Sequence, residues 1–197
     1  YTFSDFEESW IKMKAEIGIE PSKTIIQNIE VGVNLRGLSA STTSVLNGCL
    51  LHKKKPFKDI SMSNGNYRQS VYNQYVLKAY DKGRQYHLSE GVFRWEIKFL
   101  RSQRINGSET YSLEDLKKPA ACSLLGNQLL KAWDQVMFFD GRLFKTLQGD
   151  ELNQAFKWTN QQHWQQLGEL TIGSKKNNYY REKKRFIEFS NSHSNLH

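Results

Sequence analysis

The stretch from Tyr75 to Arg101 constrains the fold of this chain most, because two segments in it alternate between apolar and polar residues. Side chains of a β-strand change face at every residue, so this alternation predicts half-buried strands. The first segment begins at Tyr75, and its polar face carries Lys78, Tyr80 and Lys82. This face places a phenol between two ammonium groups.

The second segment, Gly91 to Arg101, repeats the pattern with aromatic and branched residues on one face. Its polar face carries Arg94, Glu96 and Lys98. The link between the segments is short enough for an antiparallel hairpin. We therefore expect a tyrosine, several cations and a carboxylate on one side of a sheet, an arrangement that suits phosphate chemistry.

The rest of the chain predicts further strands and then only helices. Helices are predicted at 4–17 and 41–51, and a strand is predicted at 24–36. After Lys118 the pattern turns helical: Pro119 begins a long helix, and Lys175 to Phe189 forms a basic terminal helix. The predicted fold class is α+β, with a central antiparallel sheet packed by helices in residues 1–118 and a helical region in residues 119–197.

The charge of the chain predicts a polyanionic partner. Its 197 residues carry a formal net charge of +8 and give a pI of about 9.4, as nucleic-acid-binding proteins commonly do. Aromatic residues make up 13% and several lie beside Lys or Arg, as base stacking requires. The two cysteines, Cys49 and Cys122, predict a reducing, cytoplasmic location. No apolar run is long enough to span a membrane, so no membrane partner is expected.

Two strand carboxylates, Glu30 and Glu96, are candidate ligands of a divalent cation. Acids are disfavoured in strands, and oxygen ligands point to Mg²⁺ or Mn²⁺. The alternative is that each acid is exposed and paired with a lysine. His52 follows the predicted helix at 41–51 and is either a third ligand or a favourable charge at the helix C-terminus.

Tyr80 is the candidate nucleophile. A phenol has an ordinary pKa near ~10 and needs help to attack at neutral pH. Lys78 and Lys82 lie two residues to either side, roughly 7 Å of strand each way. They could favour the phenolate and hold a phosphate. The alternative is that Tyr80 is a packing residue of the strand.

The basic residues are candidate DNA contacts, and solvated charged faces are the alternative. The candidates lie in a lysine run, on the two strands and on the terminal helix. They are Lys53, Lys54, Lys55, Lys78, Arg94, Lys98, Lys183, Lys184 and Arg185.

Three segments carry a resemblance to a known family. In order and spacing, the runs Asn28–Leu35, Ala79–Gln85 and Phe93–Phe99 resemble the transfer-type initiators of rolling-circle plasmid replication. These are relatives of the HUH endonucleases and of filamentous-phage gene II proteins. The resemblance covers roughly residues 24 to 101, and Asn34 stands where it implies an acid.

The resemblance implies an enzyme that nicks and rejoins DNA at a replication origin through a phosphotyrosine. It implies Tyr80 as nucleophile and Glu30 and Glu96 as ligands of Mg²⁺ or Mn²⁺. In the reaction predicted on this basis, Lys82 stabilises charge on the phosphate and His52 is the candidate third ligand. The implied partners are single-stranded or extruded origin DNA, a helicase and a second copy of the chain in a homodimer. A conjugative relaxase and a non-catalytic DNA- or RNA-binding protein remain the alternatives.

Overall fold

The structure is a computed structural model that describes residues 3–61, 66–101, 111–169 and 176–193. Its strands are β1 (Ile29–Leu35), β2 (Cys49–His52), β3 (Lys55–Pro56), β4 (Lys58–Asp59), β5 (Tyr67–Val71), β6 (Tyr75–Asp81), β7 (Phe93–Phe99) and β8 (Val136–Phe138). Its helices are α1 (Phe3–Ile17), α2 (Thr42–Gly48), α3 (Lys82–Gln85), α4 (Pro119–Trp133), α5 (Gly149–Thr159), α6 (Gln161–Glu169) and α7 (Lys176–His193). Short 3₁₀ helices lie at Glu114–Lys117 and Gly141–Lys145. No helix in these ranges is long and apolar enough to cross a membrane.

The predicted α+β class is confirmed. Five antiparallel strands form one sheet in the order β1-β7-β6-β5-β4, so the two strands with the strictest alternation lie at its centre. Helices pack against this sheet, and the chain beyond it is mainly helical. The predicted division into two domains at residue 118 stays a prediction.

On the central strands β6 and β7, one face of the sheet is buried. It contributes Tyr75, Leu77, Ala79, Phe93, Trp95, Ile97 and Phe99, which are all at most 8% exposed. Helix α4 covers this face with Leu125, Leu129 and Ala132, and the Trp95 indole donates a hydrogen bond to the Leu129 carbonyl at 3.2 Å. Because this face is apolar and covered, the polar side chains of β6 and β7 must lie on the opposite face.

A second sheet, in the order β3-β2-β8, joins the first core to the C-terminal helices. The helix predicted at 41–51 in fact ends at Gly48, and the next four residues form a strand with every side chain buried. A Cβ at Gly48 would lie 2.5 Å from the Phe139 carbonyl oxygen, so glycine allows β8 to approach. The apolar run Cys49–Leu51 fits a helix or a strand equally well, so periodicity alone could not distinguish the two.

Candidate active site on the exposed sheet face

The register of the sheet brings the predicted site residues to one face. Across β1, β7, β6 and β5, three neighbouring rows of Cα partners run Glu30–Lys98–Val76, Gly32–Glu96–Lys78–Gln69 and Asn34–Arg94–Tyr80–Tyr67. Side chains opposite each other across strands lie close enough to interact. The chain therefore gathers its phenol and both candidate acids into one cluster.

An ion-pair network connects these rows. The Lys78 Nζ lies 3.0 Å from Glu30 Oε1 and 2.9 Å from Glu96 Oε1, so one ammonium group bridges the two carboxylates. Lys98 Nζ adds a second contact to Glu30 at 2.9 Å, and Arg94 Nε donates to Glu96 Oε2 at 2.7 Å. Three cations thus face two carboxylates, which leaves an excess of one positive charge.

The network is half-enclosed, and hydrogen bonds within it shift the pKa values of Glu30 and Lys78 in the direction that favours their charged forms. The Glu96 side chain is only 4% exposed, against 38% for Glu30. Partial burial works to raise the Glu30 pKa, but hydrogen bonds from Lys98 and Lys78 outweigh it and lower that pKa to about 2. Burial likewise works to lower the Lys78 pKa, yet hydrogen bonds to Glu96 and Glu30 raise it above its ordinary value.

Tyr80 lies at the edge of this network with its proton aimed at a base. Its hydroxyl donates to Glu96 Oε2 at 3.4 Å. Burial first, and then the negative charge of Glu96, raise the pKa of Tyr80. The phenol is therefore protonated at neutral pH, and the group positioned to take its proton is the Glu96 carboxylate.

Tyr67 is a member of the site that the sequence analysis did not single out. Its ring stacks on that of Tyr80, with centroids 5.2 Å apart and planes inclined by 15°. Burial raises the pKa of Tyr67 to about 12. The alternation of β5 could have shown that Tyr67 faces the polar side, but only the register with β6 shows that it is the partner of Tyr80.

Gly32 and Asn34 of β1 position the Arg94 guanidinium. A Cβ at Gly32 would come within 3.0 Å of the guanidinium carbon and 2.9 Å of the Trp95 carbonyl oxygen, so only glycine leaves this space open. The Asn34 Oδ1 accepts a hydrogen bond from Arg94 Nη1 at 3.1 Å. The residue that replaces an expected acid therefore orients a cation.

Lys82 does not join the face on which the alternation placed it. The strand ends at Asp81, whose carboxylate accepts a hydrogen bond from the Arg84 backbone and caps α3. Lys82 is the first residue of that helix, and its ammonium lies over the Tyr86 ring, 5.5 Å from the centroid. Among the described contacts none links Lys82 to Tyr80, because the change from strand to helix ends the alternation one residue earlier.

The prediction of His52 as a third metal ligand is corrected by its position. His52 lies on β2, only 1% exposed, and its ring packs edge-on against Tyr72 and Tyr75 at 5.3 and 6.2 Å between centroids. Tyr75 is on the buried face of β6, whereas Tyr80 is on the other. His52 is therefore on the far side of the sheet from the two glutamates. The apolar run before His52 fits a helix as well as a strand, so the sequence did not predict strand β2, which places His52 on the far side of the sheet.

The burial of His52 predicts an acid-sensitive fold. Burial, followed by the charge of Lys53, lowers its pKa from 6.5 to about 4. Since the unfolded chain takes up this proton first, stability is complete above pH 6.5 and is lost as the pH falls towards 4. We expect the free energy of unfolding to drop by about 2 to 3 kcal/mol between pH 7 and pH 4.5, as measured by urea denaturation.

A matched variant separates this effect from that of other groups. His163, whose pKa is also lowered by burial, changes stability in the same direction, whereas Glu30 begins to matter only below its ordinary value of 4.5. The pH slope of His52→Gln should therefore be shallower than that of the wild type in this window. Equal slopes would contradict the assignment.

The remaining predicted DNA contacts lie around the turn between β2 and β3 and on α7. Lys53 lies over the Tyr72 and Tyr75 rings, Lys54 over Tyr179 and Tyr180, and Lys55 over Tyr72. On α7, Lys183 is close enough to His52 for its charge to lower the His52 pKa. Two other basic residues of α7 form ion pairs within the helix: Lys184 with Glu188 at 3.7 Å and Arg185 with Glu182 at 3.2 Å. The turn at 53–55 and α7, two basic segments far apart in sequence, thus meet in one basic cluster.

The two glutamate carboxylates could supply some, though not all, of the oxygen ligands that a divalent ion needs. Glu30 and Glu96 converge on one cation position, now taken by Lys78 Nζ, and Mg²⁺ is commonly held by one or two carboxylates together with substrate phosphates. Within the described ranges, no group of three or more His, Cys, Asp or Glu side chains could hold a metal ion. An ion bound here would rely on DNA for its other ligands and would compete with Lys78.

Comparisons with known proteins found no match, whether against protein-family models, curated proteins or solved structures. The functional argument therefore depends on the chemistry of the residues themselves.

Proposed function

We propose that this protein nicks and rejoins single-stranded DNA at a replication origin through a phosphotyrosine intermediate. The observation that carries the proposal is the hydrogen bond from Tyr80 to Glu96 within a half-enclosed cluster that holds three cations on the polar sheet face. A phenol, a base for its proton and an excess of positive charge are the groups that in-line attack on a phosphodiester needs.

Each group of the cluster has a role in the proposed reaction. The oxygen of Tyr80 forms a bond to phosphorus while the bond from phosphorus to the 3′-oxygen breaks. The phenol proton passes to Glu96 Oε2, and the leaving 3′-oxygen takes a proton from solvent. Arg94 and Lys98 hold the phosphate oxygens as charge builds on them. The 5′ end of the strand stays linked to the protein, so the free 3′-hydroxyl can attack that link and restore the strand.

A divalent ion belongs to the proposal as Mg²⁺ or Mn²⁺ held by Glu30 and Glu96. When bound, it would supply Lewis-acid polarisation of the phosphate. The chain's own contribution is to hold both carboxylates around one position and to keep Glu30 ionised, because Lys98 and Lys78 lower the pKa of Glu30 to about 2 against the effect of its burial.

The basic cluster formed by the turn at 53–55 and α7 supports DNA as the partner. The cations of the turn at 53–55 and of α7 would bind phosphates without reading sequence, so we expect affinity to fall steeply with salt. We place this activity in the cytoplasm, since Cys49 and Cys122 are both free thiols.

The direct test is a cleavage assay on a pool of single-stranded oligonucleotides with Mg²⁺ or Mn²⁺. The expected products are a fragment with a free 3′-hydroxyl and a protein covalently linked to the 5′ fragment, resolved on a denaturing gel. Cleavage without a covalent adduct would point to a hydrolytic nuclease instead. Absence of cleavage across the pool would remove the enzymatic proposal.

One observation favours a second candidate, a non-catalytic DNA-binding protein. Both carboxylates are already paired with cations, and burial together with Glu96 raises the Tyr80 pKa. A protein of this kind would bind single strands on the same face without forming an adduct, so the cleavage assay separates the two candidates. A conjugative relaxase would use the same residues as the proposed initiator.

Replacing Lys78 by methionine is expected to raise the affinity for Mn²⁺ about tenfold. The variant removes the ammonium that occupies the position shared by Glu30 and Glu96 while keeping a side chain of similar length. Isothermal titration calorimetry without DNA measures the change. Lys98→Met is the matched control, because Lys98 contacts Glu30 alone of the two acids, and its gain should be smaller. Equal affinities for wild type and Lys78→Met would contradict the shared cation position.

A further inference from the structure

A cavity of about 320 Å³ lies on the other side of the sheet from Tyr80. It opens between the end of β2, the start of β6 and the last turn of α4. Its polar lining consists of His52, Lys53, Tyr75, Gln128, Lys131 and Gln135. The proposed reaction uses none of these residues at its centre.

The His52 side chain presents an unsatisfied acceptor to this cavity. The Tyr72 hydroxyl donates its single hydrogen to the His52 carbonyl at 2.7 Å, so its oxygen can only accept from Nδ1, which lies 2.7 Å away. This hydrogen-bond pattern assigns the proton to Nδ1 and a lone pair to Nε2. Among the residues that the structure describes, the buried Nε2 makes no hydrogen bond that meets both distance and angle limits, although the Gln135 side chain is near enough to act on the ring as a hydrogen-bond partner and to raise its pKa. A buried polar atom without a partner is costly and calls for an explanation such as a ligand.

The backbone beside His52 is held in a strained conformation at Lys53, which lines the cavity. Lys53 has a φ of 54°, in the left-handed region that few residues other than glycine adopt. The Tyr179 hydroxyl donates to its carbonyl at 2.7 Å, and its amide donates to the Gln135 carbonyl at 3.2 Å. Such strain persists only where the surroundings fix it, and it is common at ligand sites.

The chemistry of the lining selects among ligands. Lys53 and Lys131 attract an anion, which a free phosphate and a nucleotide phosphate would both satisfy. The neutral Nε2 needs a donor, however, and would repel an anionic oxygen. Burial, and then the charge of Lys53, lower the His52 pKa to about 4, so protonation does not remove that conflict near neutral pH. A nucleobase edge carries N–H donors beside carbonyl acceptors, which match Nε2 and the amides of Gln128 and Gln135.

We propose that this cavity binds one unpaired nucleotide, with its base edge on His52, Gln128 and Gln135 and its phosphate on Lys53 and Lys131. The inference rests on the proposed function for its source of nucleotide, a single strand that also crosses the Tyr80 face. Tyr75 and Tyr80 are five strand positions apart, about 17 Å. A base held in the cavity would fix which phosphate of the strand reaches Tyr80.

Calorimetric titration of Tyr80→Phe with the four deoxynucleoside 5′-monophosphates tests this inference, with inorganic phosphate and deoxyribose 5-phosphate as probes of the anion alone. We expect saturable binding of at least one nucleotide. Inorganic phosphate and deoxyribose 5-phosphate should show no binding. Gln128→Ala and Gln135→Ala should each weaken nucleotide binding about tenfold, the loss expected for one hydrogen bond in a desolvated site. Asn127→Ala, on the exposed side of the same helix, should leave it unchanged.

The outcomes separate this inference from the proposed function. Binding of inorganic phosphate as tight as that of nucleotides would make the cavity an anion site and overturn the inference, as would nucleotide binding that neither glutamine variant weakens. DNA cleavage by the wild type without nucleotide binding would refute the cavity alone. Nucleotide binding by a protein that never cleaves DNA would refute only the enzymatic proposal.

Discussion

Replacing Tyr80 by phenylalanine is expected to abolish DNA nicking, with a loss of at least about 10⁴-fold in rate, as is typical when a covalent nucleophile is removed. The variant loses one hydroxyl and its 3.4 Å hydrogen bond to Glu96, while the ring can still stack on Tyr67. Affinity for single-stranded DNA should therefore stay within about twofold of the wild type. Cleavage of labelled oligonucleotides and a filter-binding assay measure the two quantities.

Tyr67→Phe is a matched control for this prediction. It removes the same group from the stacked partner ring, on the same sheet face and directly across the strand pair. We expect Tyr67→Phe to keep covalent adduct formation. If the Tyr80 variant forms the adduct and the Tyr67 variant does not, the nucleophile has been assigned to the wrong ring.

Replacing Glu96 by glutamine is expected to damage both activity and stability. The carboxylate is the acceptor of the Tyr80 proton and the partner of Lys78 and Arg94, and its side chain is only 4% exposed. Loss of a positioned base lowers a rate by about 10² to 10⁴. Because the variant leaves two cations without their shared carboxylate, we also expect unfolding to become easier by about 3 kcal/mol. Single-turnover cleavage and urea denaturation measure these effects.

Glu30→Gln separates the two roles. The Glu30 carboxylate is 38% exposed and contacts Lys78 and Lys98 but has no described contact with Tyr80. Its loss should cost well under half the stability that Glu96→Gln costs, since solvent screens exposed ion pairs. If both variants retain full cleavage while only stability falls, the pair is structural and the metal and base roles are wrong.

The sequence predicted the central strands and their faces because alternation is a local property. Alternation predicts a common polar face for Tyr80 and Glu96, whereas the sequence links Glu30 to Glu96 only as a candidate ligand of the same cation. The structure brings all three together through adjacent rows of the sheet. Alternation is informative here since one face is buried, which fixes the orientation of every side chain in β6 and β7.

Three features could not be predicted, for physical reasons that differ. Tyr67 depends on the register between strands, which turn geometry sets and periodicity does not reveal. Lys82 depends on the competition between strand and helix, which the Asp81 cap decides in favour of helix. The placement of His52 depends on a short apolar run that is compatible with either a helix or a strand. Pairing with β8 stabilises the strand.

The position of Tyr80 has a consequence for how such a chain can change in length. Loss or gain of one residue between the turn at 72–74 and Tyr80 would exchange the two sides of the strand, turning the phenol inward and an aliphatic side chain outward. A substitution around the cluster changes its charge by one step, whereas a change in the number of residues before Tyr80 removes the phenol from the polar face altogether. Insertions and deletions should therefore be tolerated in the loops and excluded from the seven residues of β6.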